Sequence, residues 1–296
     1  MQPVLSLSGI TKFYGPVRAL RDVSFEVPEG SVFGVLGPNG SGKTTLLSII
    51  LDVLKANNGQ FRWFGQPGSP AQRKRIGSLL ETPNFYHYLS GIDNLKVTQS
   101  ISGRGNRQDI ETVLQKVKLY ERRKSRFKTY SLGMKQRLAI AGALLGDPKV
   151  LVLDEPTNGL DPVGIAEIRE LITELRHSGH TIIIASHLLD EVEKVCTHVA
   201  ILKTGELLTT GEVNDILQDE DVVELSAADP EALARLLSPL GKLQLNRETN
   251  ILSLAVPKGS ARLEEINRLC FSNGITLNHL LLKKKRLETR FFELTN

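Results

Sequence analysis

Two short stretches carry residue types able to handle phosphate and a divalent ion. The first is Gly37-Pro38-Asn39-Gly40-Ser41-Gly42-Lys43-Thr44-Thr45, in which Gly37 and Gly42, with four residues between them, precede a lysine and a threonine. In such a loop successive backbone N–H groups point into the turn and cradle phosphate oxygens, helped by the positive end of the helix that follows. Lys43 would bring a charge to the outer phosphates of a nucleotide, and the Thr44 hydroxyl suits Mg²⁺. The second stretch is Val150-Leu151-Val152-Leu153-Asp154-Glu155, four apolar residues that end in two carboxylates. Asp154 fits a Mg²⁺ shell. Glu155, on the other side of an extended chain, would reach a water beside the last phosphate and act as a base.

A phosphate loop of this kind belongs between a buried strand and a helix, and the flanking residues supply both. Residues 32–36 (VFGVL) are an apolar run, and residues 46–54 read as a helix. Residues 149–153 and 181–185 are two more buried-strand runs, joined by a segment that places Ile165, Ile168, Leu171, Ile172 and Leu175 on one helical face. Buried strands linked by amphipathic helices predict an α/β fold with a mostly parallel sheet, whose ligands sit at the carboxyl ends of the strands. Residues 4–27 alternate apolar and polar, as half-buried antiparallel strands do, and residues 71–130 read as mostly helical, broken by Pro83-Asn84, Gly103 and Gly105. Past Gly211 the character changes. Strand (222–225), helix (230–237), a hairpin through 246–250, helix (261–272), strand (276–282) and a last helix (284–294) give a ferredoxin-like β-α-β-β-α-β order with a tail.

The 296 residues leave room for two domains. With 41% apolar and 24% charged residues the composition is that of an ordinary globular protein, and no run approaches the roughly 18 apolar residues of a membrane span. The start of the chain has no basic residue ahead of an apolar block, so it does not read as a secretory signal. Two cysteines, Cys196 and Cys270, cannot make a disulfide framework; they read as small packing residues of a protein in a reducing compartment. The net charge of +4 is uneven: residues 71–130 hold 13 Lys or Arg against 5 Asp or Glu, densest at Arg122, Arg123, Lys124, Arg126 and Lys128. That run reads either as a solvated helix face or as a surface for anionic lipid headgroups or nucleic acid.

Further motifs give the phosphate loop a family. Tyr130-Ser131-Leu132-Gly133-Met134-Lys135-Gln136-Arg137 resembles the signature sequence of ABC ATPases and lies 23 residues ahead of Asp154, as in that family. Leu132 and Met134 depart from the family's glycine and glutamine, while Ser131 and Gly133, its phosphate-contacting pair, are kept. Asn158-Gly159-Leu160-Asp161 resembles the D-loop, Ala185-Ser186-His187 the switch histidine, and Tyr14 stands where the family stacks an aromatic ring on adenine. Glu81 stands where the family carries a glutamine that touches Mg²⁺ and water. A glutamate there resembles the ATPases of bacitracin and lantibiotic self-protection exporters, and it sets an anion beside the nucleotide's own charge.

The resemblance implies a P-loop NTPase ABC domain at 1–215, with a mixed sheet core, an antiparallel β subdomain and a helical subdomain at about 71–145. The piece at 216–296 is similar to the α+β accessory domain of ABC-2 exporter ATPases. ATP and Mg²⁺ are the implied cofactors. Two such domains would pair head to tail, each ATP lying between the loop of one (Gly37 to Thr45) and Ser131 and Gly133 of the other, with Asp161 nearby. Thr44, Glu81 and Asp154 would hold Mg²⁺, Glu155 would be the base, and Lys43 and His187 would position the γ-phosphate. The implied partners are a second ATP-binding subunit and a separate polytopic permease, at the cytoplasmic face of the inner membrane, with no nucleic acid. The rival reading, an ABC ATPase acting on nucleic acid or ribosomes, expects two cassettes in one chain or a long coiled-coil insertion. Here Lys43 and Asp154 are 111 residues apart with no sustained heptads.

Overall fold

The alternation along the first residues folds as two long antiparallel strands, β1 (Pro3–Tyr14) and β2 (Val17–Pro28). Their register sets Leu5 opposite Val27 and Leu7 opposite Phe25, so all four side chains are buried on one face. The chain then enters β3 (Val32–Leu36), every residue of which is buried, and helix α1 (Lys43–Ile50). Strands β4 (Asn58–Trp63) and β5 (Gln66–Pro67) complete an antiparallel sheet of order β2-β1-β4-β5. Helix α1 buries Leu46, Leu47, Ile49 and Ile50 in the same core as Leu5, Val27 and Phe33. The Trp63 indole N–H donates to the Ile50 carbonyl at 2.7 Å and pins β4 to the end of α1. The computed structural model describes residues 3–80, 84–217, 220–246, 249–257, 259–283 and 291.

The central sheet takes β6 (Ile76–Leu79), β7 (Val150–Asp154), β8 (Thr181–Ser186), β9 (His198–Lys203) and β10 (Glu206–Glu212) around β3, in the order β10-β9-β3-β8-β7-β6. All neighbours run parallel except the β9–β10 pair at the edge. Strands β3, β7 and β8 are buried from end to end, as parallel strands covered on both faces must be.

Residues 71–130 are not helical throughout. Short α2 (Pro70–Arg73) gives way to β6, which lies in the central sheet beside β7. Four residues, two of them Gly77 and Ser78, are too few to show a period. Beyond it come α3 (Gly91–Ser102), α4 (Arg107–Lys116) and α5 (Leu132–Leu144). Each has a side-chain N-cap, from Ser90, from Asn106 in a capping box with Asp109, and from Ser131. Helix α5 crosses β6 so closely that a Cβ on Gly77 would stand 2.1 Å from the Ala143 carbonyl oxygen. Helix α6 (Pro162–His177) buries Ile168, Leu171, Ile172 and Leu175 as its pattern predicted, with Ile165 half-buried at the margin. Helix α7 (Leu189–Val195) follows β8.

The chain divides into two compact units, Met1–Glu212 and Val213–Asn296. The second opens with α8 (Val213–Leu217). It continues as β11 (Glu220–Ala227), α9 (Pro230–Leu237), β12 (Lys242–Asn246), β13 (Ile251–Pro257), α10 (Leu263–Ser272) and β14 (Leu277–Lys283). Its sheet order, β12-β13-β11-β14, is the ferredoxin-like arrangement, with α9 and α10 packing Leu233, Leu237, Ile266 and Cys270 onto Val223, Leu225, Leu252 and Leu254. The helix expected over 284–294 falls outside the described residues, apart from position 291. Cys196 and Cys270 are buried and unpaired, and burial pushes both thiols up. No helix among the described residues is long and apolar enough to cross a membrane.

Gly77→Ala forces either β6 or α5 to move. A loss of about 1–3 kcal/mol in stability is expected, read as a lower urea midpoint, and an unchanged midpoint would contradict the close approach.

Candidate functional site

Three parallel strands finish level with one another. Leu36 of β3 pairs with Ser186 of β8, and Asp154 of β7 pairs with Ala185. The loop after β3, the carboxylates after β7 and the histidine after β8 therefore leave the sheet from one edge.

The loop closes tightly around its glycines. Gly42 takes φ +101, and a Cβ there would lie 2.6 Å from the Ala19 carbonyl oxygen; a Cβ on Gly37 would lie 2.3 Å from that of Leu202. Gly40, at φ +81, faces open space. No side chain caps the start of α1, so its first N–H groups are left for an anion. The Ser41 hydroxyl is buried without a hydrogen-bond partner among the described residues. Lys43 is 6% exposed; its ammonium donates to the carbonyls of Gly37 (2.9 Å) and Pro38 (3.3 Å) and stands 3.5 Å from Glu155 Oε1. These groups open on a cavity of about 580 Å³ whose walls include Asn39, Gly40, Gly42, Thr44, Thr45 and Glu155.

Asp154 is buried at the end of β7. Glu155 does not continue the extended chain, as the sequence had led one to expect. Its φ is +46, its N–H donates to the Ala185 carbonyl at 2.9 Å, and the chain turns off the sheet there. A left-handed non-glycine residue stores backbone strain of the kind that collects at functional sites. The turn aims the carboxylate back over the loop: Oε1 faces Lys43 and Oε2 meets His187 Nδ1 at 2.9 Å. Lys43, Glu155 and His187 thus form one chain of polar contacts, of which Lys43 and Glu155 line the cavity.

Other expected residues lie elsewhere. Ser131 caps α5, its Oγ accepting from the Met134 N–H at 3.3 Å, and both it and Leu132 are exposed. Asp161 caps α6, accepting from the Gly164 N–H at 2.8 Å. Neither residue lines the cavity, nor does Gly133. Tyr14 ends β1, 49% exposed with the Lys12 ammonium 5.4 Å from its ring centroid; the turn after it, through Pro16 to Ala19, forms cavity wall in its place. Glu81 lies outside the described residues. Sequence reasoning missed Arg18, Ala19 and Thr204 as wall residues. For Thr204 a signal existed in the Thr204-Gly205 turn, where Gly205 packs against the backbone of Ala19.

A glycine phosphate loop and an acidic strand end on two parallel strands that flank β8, inside an α/β layer fold, define a P-loop nucleoside-triphosphatase. Residues 20–158 match the family described as ABC transporter. The chain is 32% identical to the bacitracin transport ATP-binding protein BcrA of Enterococcus faecalis, over 99% of this chain and 97% of that one. It is 40% identical to the lantibiotic transport ATP-binding protein SrtF of Streptococcus pyogenes, over 69% of this chain and 89% of that one. Among solved structures, the dimeric post-hydrolysis state of the ATP-binding cassette MJ0796, bound to ADP and Pi, superposes with a TM-score of 0.63 at 26% identity, covering 71% of this chain and 98% of that one. The chain belongs to the ATP-binding proteins of ABC transporters. It is accordingly an ATP-binding and ATP-hydrolysing transport subunit.

A methyl group at Gly42 must either strain its backbone or push against Ala19. Gly42→Ala is expected to weaken ATP binding by about tenfold or more, roughly 1.4 kcal/mol, in a fluorescent-nucleotide titration. Affinity equal to that of the parent chain would show that this loop does not hold the phosphates.

Proposed function

We propose that this chain energises a membrane exporter by ATP-driven pairing of two copies, and that the cargo is an amphipathic compound of the peptide-antibiotic kind. The observation that carries the pairing is that Ser131 and Gly133 stand on an exposed helix start away from the cavity that holds Lys43. A second copy placed head to tail would bring that helix start, with its hydroxyl and free N–H groups, onto the γ-phosphate. The dimeric state of the related cassette supports this arrangement. The names of BcrA and SrtF support the cargo class, and the family supports a separate polytopic permease, with the chain at the cytoplasmic face of the membrane.

The donor set fits Mg²⁺. A hydroxyl on Thr44 and a buried carboxylate on Asp154 are oxygen ligands, and no cluster of three or more His, Cys, Asp or Glu exists among the described residues. An ion here would keep water and phosphate oxygens as its other ligands, which is the usual habit of Mg²⁺. Glu81 would add a carboxylate to that set. When bound, the ion would offset charge on the β- and γ-phosphates. Lys43 binds the same oxygens. Glu155 takes a proton from the attacking water, and His187, bonded to Oε2, holds that carboxylate in place. Loss of the γ-phosphate removes the anion that joins two copies, so hydrolysis resets the pair.

Glu155→Gln keeps the cradle and removes the base. It should bind ATP, elute as an ATP-dependent dimer on a sizing column and hydrolyse about a hundredfold or more slower; full turnover would refute the role given to Glu155. The transport reading is tested by purifying the tagged chain from native membranes. A polytopic membrane protein should come with it, and ribosomal or nucleic-acid proteins in its place would overturn the proposal.

A further inference from the structure

The His187 ring is partly exposed, so its place depends on the chain on either side of it. It follows the last residue of β8, and after Leu188 the chain enters α7. The Leu188 N–H donates to Ser186 Oγ at 3.0 Å, which leaves little slack between strand and helix. The seat of α7 therefore sets where the imidazole points. Of the seven residues of α7, Val192 alone is buried. It rests on β3, where a Cβ on Gly34 would stand 2.8 Å from Val192 Cγ1. Leucine at the N-cap offers no oxygen to the first N–H groups of the helix. One buried contact lets so short a helix pivot, and a pivot of α7 carries His187 with it.

A second attachment comes from α6. Arg169 Nη1 donates to Glu191 Oε2 at 3.2 Å, while Lys194, further along α7, donates to Oε1 at 2.7 Å. Arg169 stands on a firm base, because Ile168, Leu171 and Ile172 of its own helix are buried. Arg169 and Glu191 line a crevice of about 20 Å³ together with Pro156, Thr157, Ser186 and Val192. Pro156 directly follows Glu155, and Ser186 directly precedes His187. The ion pair thus lies between the two segments that carry the Glu155–His187 hydrogen bond. Its side chains are 36% and 22% exposed, and solvent screens them less than it screens a pair on open surface.

We propose that Arg169 and Glu191 are positioning residues for ATP hydrolysis. Their ion pair fixes α7 against α6 and so holds His187 Nδ1 within hydrogen-bond reach of the Glu155 carboxylate. Neither residue lines the cavity that holds Lys43. The Lys194–Glu191 contact differs in kind, since it joins two residues of one helix and ties α7 to nothing outside itself. Phosphates are held by the glycine loop and Lys43, whose contacts do not pass through α6 or α7. The pair therefore governs the rate of the chemical step and leaves the binding of ATP alone. This rests on the roles given above to Glu155 and His187, which the His187 variant below tests separately.

Arg169→Met keeps an unbranched, helix-favouring side chain and removes the charge. Its kcat should fall about tenfold, as a small displacement of a catalytic group does, with KM for ATP within about twofold of the parent. Glu191→Gln should match it. Arg169→Lys, which restores a cation, should recover most of the loss, and Lys194→Met should turn over as the parent does. Titration of Arg169→Met with a fluorescent nucleotide should show the parent's stoichiometry; a stoichiometry that falls in step with kcat would mean unfolding and overturn the proposal. The decisive measurement is single-turnover hydrolysis in a His187→Ala background. There Arg169→Met should lose nothing further, because the group it positions is gone. Losses that multiply would overturn the proposal, as would a parental kcat in Arg169→Met or an equal loss in Lys194→Met. Parental turnover by His187→Ala alone would overturn it together with the role given to His187.

Discussion

The parallel pairing of β3, β7 and β8 is the constraint on which the site depends. A phosphate loop, a carboxylate pair and a histidine come from three separate segments, at residues 37–45, 154–155 and 187, and nothing local tells them to meet. The hydrogen-bond register does, because pairing Leu36 with Ser186 and Asp154 with Ala185 ends the strands in step. A slip by one residue would turn each side chain to the opposite face and separate Glu155 from Lys43. The long apolar runs in these strands make such a slip costly, since every residue of each is buried. Packing in the core therefore holds the chemistry at the rim.

Helix α1 transmits that order into the loop. Its apolar residues share one core with the antiparallel sheet and the central sheet, and the Trp63–Ile50 hydrogen bond fixes its far end. Its near end can then point unfilled N–H groups at one place. The glycines follow from this crowding. Gly42 lies against the backbone of β2 and Gly37 against that of β9, so the loop has no room for side chains where it turns. The same logic operates at Gly77, where a helix rides directly on a strand.

How much of this was legible in the residues depended on the range of the interaction that decided it. The phosphate loop, the acidic strand end and the helical stripe through Ile168 and Leu175 are local patterns, and they were readable. So was the ferredoxin-like order, because strands and helices of ordinary length alternate there with clear periods. Strand β6 was not readable: four residues with a glycine inside them acquire their identity from β7 and α5, both distant in sequence. The left-handed turn at Glu155 was hidden for a different reason. Nothing in a glutamate announces a positive φ, and the turn is held by a hydrogen bond to Ala185 across the sheet. Cavity walls such as Ala19 and Thr204 carry no chemical signature, and only packing assigns them.

That turn also changes how the polar groups work together. On an extended chain Glu155 would face the cavity alone. With its backbone reversed it stands between a lysine and a histidine, so that its charge is shared by Lys43 at 3.5 Å and His187 at 2.9 Å. Lys43 has two carbonyls and this carboxylate as acceptors. A polyphosphate carries more charge than any of them and competes for the same ammonium. On the proposed mechanism, nucleotide binding therefore does more than fill a cradle. Drawing Lys43 toward the phosphates takes a cation away from Glu155 and leaves the carboxylate held by His187 alone, as the better proton acceptor. The base would thus be set for its task by the arrival of its substrate, through contacts that the β3, β7 and β8 register makes possible.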